Sequence, residues 1–394
     1  MPKESGARKY SDEQILYFRA RRGHLTDSGA PDAAAAARAM IGAQSQQLNP
    51  SLLALSMRMK DRPTTAELKA RLLEPPREVV RTWGQRDTLH IFDPNDWELI
   101  VAARGEWAPG GRRGAMPPEA LVKKAGELLR SASGPLTRRD LQPILPASYL
   151  REAEEKVGPG SAARQLAAGR LFWCLAHRGD VCMADKVGAE QSYVAREHWF
   201  PKLKWPRSAT APRQAATALA RRYLATYGPA TARDLAHFFG ARVSSAIEWL
   251  DLLNKDGELA PVSCGDRKGL VALTADMPDL SVKPPRSAEK WPLRLLPLWE
   301  TMLMAHADKS WTTPIEADRK LVWRKSAFVA AVVLARGRAV ATWTHKQRRG
   351  RLAVEVSPLS GWNHSKHAAG VRREAKAVAD QLELDAADVE IGRD

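Results

Sequence analysis

Apolar residues recur every three to four positions through most of the chain, the period of helices that bury one face. The spacing predicts helices over residues 12–22, 32–43, 50–59 and 64–73, then over 120–129, 162–175, 215–224 and 243–253. Residues 134–141 (GPLTRRDL) and 228–235 (GPATARDL) form a diverged internal repeat. Each places a Gly-Pro turn before a Thr, with an Asp three residues on: Thr137 with Asp140, and Thr231 with Asp234. A side-chain hydroxyl and an acid at that spacing satisfy the free N–H groups of a helix start, a capping box. Thr64 and Glu67 repeat the device earlier. Short runs of period two follow each helical group: 78–83 with 88–92, 180–184 with 191–194, and 258–262 with 270–273. Three helices and a hairpin make a winged helix-turn-helix.

Beyond Pro284 the pattern changes to strand-like runs at 293–296, 321–323, 328–334, 339–344 and 352–356, with a helix over 367–381. Gly337 and Gly350 fall between runs, as in a meander. The expected fold is mainly α with small β elements: three tandem winged helix-turn-helix units followed by a small C-terminal β-barrel-like domain. The divisions fall at 1–107, 108–205, 206–283 and 284–394, with 108–118, rich in Gly, Arg and Pro, as a linker.

Composition turns this pattern toward a partner. Among 394 residues, 61 Lys and Arg face 45 Asp and Glu, a net charge of +16. So basic a surface favours a polyanion, DNA first. The densest basic run, at a predicted hairpin tip, holds Lys346, Arg348, Arg349 and Arg351, residues suited to phosphate contact. The apolar run 328–335 suits a buried strand and is far too short for a bilayer, so no membrane is implied. The first residues lack the apolar stretch of a signal peptide. Three cysteines without CxxC spacing imply neither a metal centre nor a disulfide framework, and a reducing cytoplasm fits them.

The candidate chemistry lies where the helix over 32–43 gives out, at Gln44-Ser45-Gln46-Gln47. Residues i and i+2 diverge on a helix and face the same way on an extended segment. Gln44 and Gln46 therefore act as a pair only if the helix stops there. On spacing alone, a polar run is a solvated helix end.

The flanks change that balance. Residues 41–58 (IGAQSQQLNPSLLALSMR) resemble the QxQ motif of the AlkZ/YcaQ-like DNA glycosylases, a bacterial family of tandem winged helices. The onward spacing to Ala54, Leu55 and Arg58 sets the register on Gln44 and Gln46. Residues 81–92 (RTWGQRDTLHIF) resemble the family's second signature. The family commonly continues its Leu-Leu-Pro segment with Phe-Asp, where this chain has Trp299-Glu300, and 304–319 match poorly. Gln46 is similar to the QxQ, AlkZ-like branch. That resemblance implies a monofunctional glycosylase for cationic N-alkylated purines, in some members one that unhooks interstrand crosslinks, with duplex DNA as partner and no cofactor.

A glutamine amide does not titrate near neutrality, so it is no ordinary general base. It still accepts a hydrogen bond from water and donates through its NH₂. A purine alkylated at N7 or N3 already carries positive charge and leaves without general-acid help. Two amides holding a water near the sugar suit that substrate, through orientation and electrostatics. Arg81, Arg86 and His90 are the next candidates: the arginines to neutralise phosphate and His90 to stand beside the pocket, or all three to tie the wing in place. Trp83 reads as core. Arg19 and Arg22 close the first helix, where a solvated cationic end is ordinary and DNA contact the alternative. A non-enzymatic regulator or a nucleoid protein would share the fold class. Three units in one chain favour a monomeric enzyme.

Overall fold

The computed structural model describes residues 6–107, 116–206, 210–325 and 327–392, so the predicted linker lies outside it up to residue 115. Three stretches of chain repeat one topology: a helix, a short strand, further helices and a hairpin. In the first, helix Ala33–Met40 leads to strand Ala43–Gln44, helices Leu48–Ser56 and Thr65–Leu73, and strands Val80–Trp83 and Leu89–Phe92. In the second, helix Glu119–Ser131 leads to strand Leu136–Thr137, helices Arg138–Leu141 and Ser161–His177, and strands Val181–Val187 and Glu190–Ala195. Both sheets run in the same order, with the short strand on the second hairpin strand. The third follows suit from helix Pro212–Tyr227, with Ala230 bridging to Val271 in place of a strand.

Local chemistry accounts for the helix starts. Thr64/Glu67, Thr137/Asp140 and Thr231/Asp234 all form capping boxes. The second repeat carries an insertion the spacing did not announce, helix Ala147–Val157, packed on Ser161–His177.

The C-terminal region corrects the barrel expectation. Its five strands form an open sheet in which Arg294–Leu296 and Ala386–Ile391 occupy opposite edges. Three central strands meander antiparallel as expected, but helix His364–Gln381 then crosses over and lays Ala386–Ile391 parallel to Arg351–Pro358. A parallel last strand needs such a crossover, and here it leaves the far edge unpaired with the first. The strand expected at 321–323 is instead the end of helix Glu316–Val322 and the start of a two-residue strand.

The first and third repeats share an interior. One apolar cluster joins Tyr17, Phe92, Trp97, Tyr223, Phe238, Trp249 and Trp311, drawn from distant parts of the chain. Strand Arg8–Lys9 pairs parallel with Leu259–Cys264, so the first residues complete the third repeat's sheet. No helix among the described residues is long and apolar enough to cross a membrane.

Candidate active site

The helix before the glutamines ends at Met40, sooner than periodicity suggested. Ile41 adopts a left-handed conformation with φ of 54°, and Gly42 follows at 91°. A side chain at Gly42 would bring a Cβ within 2.2 Å of the Phe92 ring, so glycine lets the chain turn against the hairpin. Extended backbone then takes Ala43 and Gln44 into the sheet, with Gln44 opposite His90. Ser45 continues the pairing through its N–H to the Leu89 carbonyl (2.6 Å). The hydroxyl of Ser51 holds the buried Ser45 hydroxyl at 2.9 Å.

The hairpin fixes both amides. Arg86 Nη2 donates to Gln44 Oε1 at 2.9 Å, and the Leu89 N–H reaches Gln46 Oε1 at 3.5 Å. An amide oxygen has two lone pairs, so each keeps acceptor capacity. Gln44 is half-buried and Gln46 exposed. Arg81 Nη2 donates to the Ser45 carbonyl (2.8 Å), while its Nη1 reaches Gln191 of the second repeat (3.3 Å). Arg86 also donates to the Phe238 carbonyl of the third repeat. Both arginines thus tie the motif to its neighbours, and burial lowers each to about 10.

The other candidates disperse. His90 is 1% exposed, stacked on Phe92, with Nδ1 3.0 Å from the Thr88 carbonyl. Burial, then the charge of Arg86, pushes it down to about 3, so it stands neutral in the interior rather than beside the pocket. Arg19 is buried, donating to the Pro229 carbonyl at 2.7 Å with its guanidinium over Trp311. Arg22 pairs with Asp276 and Asp279 at 2.7 and 2.8 Å. These two brace the first helix on the third repeat. Lys346, Arg348, Arg349 and Arg351 are exposed at the hairpin tip as expected, and Arg351 is paired with Asp388 at 2.6 Å.

A cavity of about 760 Å³ opens beside the motif, between the first hairpin and that of the second repeat. Gln46, Trp83, Asp87 and Tyr193 line it; Gln44 does not. Trp83 is half-buried, packed against the apolar cluster of the second repeat, and lies parallel to Tyr193 within 9° at 6.0 Å. Asp87, which spacing gave no reason to single out, has φ of 56°. Its Oδ1 accepts from Trp173 Nε1 at 2.8 Å and lies 3.2 Å from His177 Nε2. Its one sequence signal was its place between Arg86 and Thr88 in the second signature.

Comparison with known proteins supplies the class: the chain is a DNA glycosylase, an enzyme acting on N-glycosyl bonds. The family model described as DNA glycosylase AlkZ-like matches residues 37–383, and the chain belongs to that family. It is similar to the interstrand DNA cross-link repair glycosylase of Streptomyces sahachiroi, 24% identical over 345 residues, covering 85% of this chain and 88% of that one. Its fold is similar to the solved structure of the Streptomyces sahachiroi DNA glycosylase AlkZ, with a TM-score of 0.77 at 22% identity, over 98% of this chain and 100% of that chain.

Proposed function

We propose that this glycosylase hydrolyses the N-glycosidic bond of cationic N7- or N3-alkylated purines in duplex DNA and leaves an abasic site. Gln44 and Gln46 hold the attacking water on the face opposite the leaving base. The observation that supports this reading is their shared neighbour: Gln44 lies on the short strand after the helix break and Gln46 two residues on, and Arg86 and Leu89 of one hairpin contact their side-chain oxygens. Neither amide supplies a titrating base, so the leaving group must already be primed, as a cationic purine is. The amide dipoles favour the oxocarbenium character that develops on the sugar.

The three helix–hairpin repeats act as winged helices that grip the duplex backbone, with the protein working as a monomer inside the cell. Lys346, Arg348 and Arg349 add phosphate contacts at the hairpin tip. The relative's name also extends the reading to crosslinks. A purine tethered to the opposite strand cannot be fully flipped, so its site must be reachable on the duplex. Gln46 is exposed, which suits that demand.

Base release from duplexes carrying N7-methylguanine, N3-methyladenine or a nitrogen-mustard crosslink tests the proposal. Wild type should release the base, and Gln44→Ala and Gln46→Ala should each slow release by about a hundredfold. Wild-type rates in both variants would remove the glutamines from the mechanism.

A further inference from the structure

The hairpin of the second repeat is distorted where it faces the glutamines. In a regular strand, neighbouring side chains point to opposite faces. Yet Met183, Ala184, Asp185 and Lys186 of strand Val181–Val187 all line the cavity next to Gln46. The pairing register shifts between Met183 and Lys186, so the strand bulges there. A bulge re-aims side chains and is frequent beside active sites. This one is pinned from the facing strand. Ser192 Oγ donates to the Asp185 carbonyl, and Gln191 Nε2 donates to the Ala184 carbonyl at 2.6 Å. Gln191 Oε1 in turn accepts from Arg81 at 3.3 Å, and Arg81 donates to the carbonyl of Ser45, between the two glutamines. Gln191 and Arg81 thus tie the bulge to the Gln44-Ser45-Gln46 segment.

The cavity that the bulge faces is positively charged. Lys69, Arg81, Arg138 and Lys186 line it against Asp87 and Asp185. Asp185 pairs with Lys69 at 3.0 Å, and Asp87 is held by Trp173, His177 and Arg104. Lys186 is exposed and Arg138 half-buried, and among the described residues no ion pair engages either. Arg138 reaches the Tyr193 hydroxyl and lies across Gly169, where a Cβ would come within 3.3 Å of its Nε.

We infer that this cavity seats a phosphate of the damaged strand within one nucleotide of the lesion, held by Lys186 and Arg138, and so sets the reacting sugar against Gln46. Gln46 is part of the cavity wall, so backbone lying there belongs to the nucleotide whose sugar faces that amide or to its neighbour. A lysine offers a point charge and an arginine a planar fork, and both are ordinary ligands of phosphate. A cationic base would be repelled by the same pair, and a neutral base would gain nothing from it. The inference rests on the proposed role of Gln46, which it deepens by naming what fixes the register of the DNA.

The test reads binding and needs no catalysis. Duplexes carry a tetrahydrofuran abasic analogue at one position, and single phosphates on either side of it are replaced in turn by neutral methylphosphonate. Wild type should lose about tenfold in affinity at one linkage within a nucleotide of the analogue. Undamaged duplex, which offers no fixed register, should show no such linkage. Lys186→Ala with Arg138→Gln, which keeps a hydrogen-bonding group for Tyr193, should bind the unmodified analogue duplex about tenfold more weakly and stay within about twofold of that value when the sensitive linkage is neutralised. Lys186→Ala alone, at an exposed position, should shrink the effect of that linkage to about threefold. An even loss at every linkage in wild type, or the full tenfold loss persisting in the double variant, overturns the phosphate seat. Failure of wild type to release N7-methylguanine would overturn the proposed function instead, and leaves the map of linkages readable.

Discussion

Arg58 and Glu300 form an ion pair sealed from solvent, with side chains 1% and 0% exposed, across 242 residues of chain. Arg58 follows the helix that leaves the glutamines and also donates to the Ala54 carbonyl at 2.8 Å. Glu300 opens helix Thr301–Met304. The Trp299-Glu300 pair, which departs from the commoner family pattern, therefore supplies the partner of an arginine in the segment that follows the glutamines.

Removing one member strands the other as a buried charge. Glu300→Ala should cost about 3–5 kcal/mol of stability. Arg58→Met with Glu300→Leu should recover much of that loss, because an apolar pair of similar volume carries no desolvation penalty. Thermal unfolding of the three proteins decides; a double variant no better than Glu300→Ala would show that the pair does more than neutralise charge.

Arg86 should matter to chemistry through position. Its guanidinium spans Gln44 and the Phe238 carbonyl at once. A lysine keeps the charge but lacks the planar fork that serves two acceptors. Arg86→Lys should slow base release by about a hundredfold, the scale of a misplacement near one ångström. Single-turnover rates check this, and a loss confined to affinity for undamaged DNA would contradict it.

Acid should destabilise the fold early. Burial pushes His90 down to about 3 and His237 down to about 4, against an ordinary 6.5. Below 6.5 the unfolded chain binds these protons and the folded one does not, so stability is complete above that pH and falls as pH drops toward 4 and then 3. Tm should decline steadily from pH 7 to pH 5, and His90→Gln should flatten the slope. An unchanged slope in the variant would mean that other groups carry the acid response.

Exposed cations at the C-terminal hairpin should reveal themselves in salt dependence. Lys346→Ala, Arg348→Ala and Arg349→Ala should each reduce the slope of log K against log salt by about one, on damaged and undamaged duplex alike. Arg351→Ala should do less, since Asp388 already pairs it.

Much of the backbone plan was legible because it is written locally. Capping boxes marked the starts of three helices, and period-two runs marked every repeat's hairpin. The helix break at the glutamines was legible as a requirement, and Ile41 and Gly42 supply it. Partners distant in sequence were not. Nothing near Arg19 announces the Pro229 carbonyl, and nothing near Asp87 announces Trp173. The barrel expectation failed for a similar reason. Ala386–Ile391 is a short strand of mixed polarity, and only the crossover helix gives it a neighbour.

The parallel pairing of Arg8–Lys9 with Leu259–Cys264 has a consequence during synthesis. Strand Arg8–Lys9 cannot reach its partner until some 250 further residues have been translated, and the helix over 12–22, which packs on Pro212–Tyr227, waits for about 200. At ordinary elongation rates that is a wait of roughly 10 to 50 seconds. Through that interval Ile15, Leu16 and Phe18, all buried in the finished enzyme, face solvent or a chaperone. This segment therefore waits for partners made much later in the chain, and the yield of active enzyme should depend on how it is sheltered meanwhile.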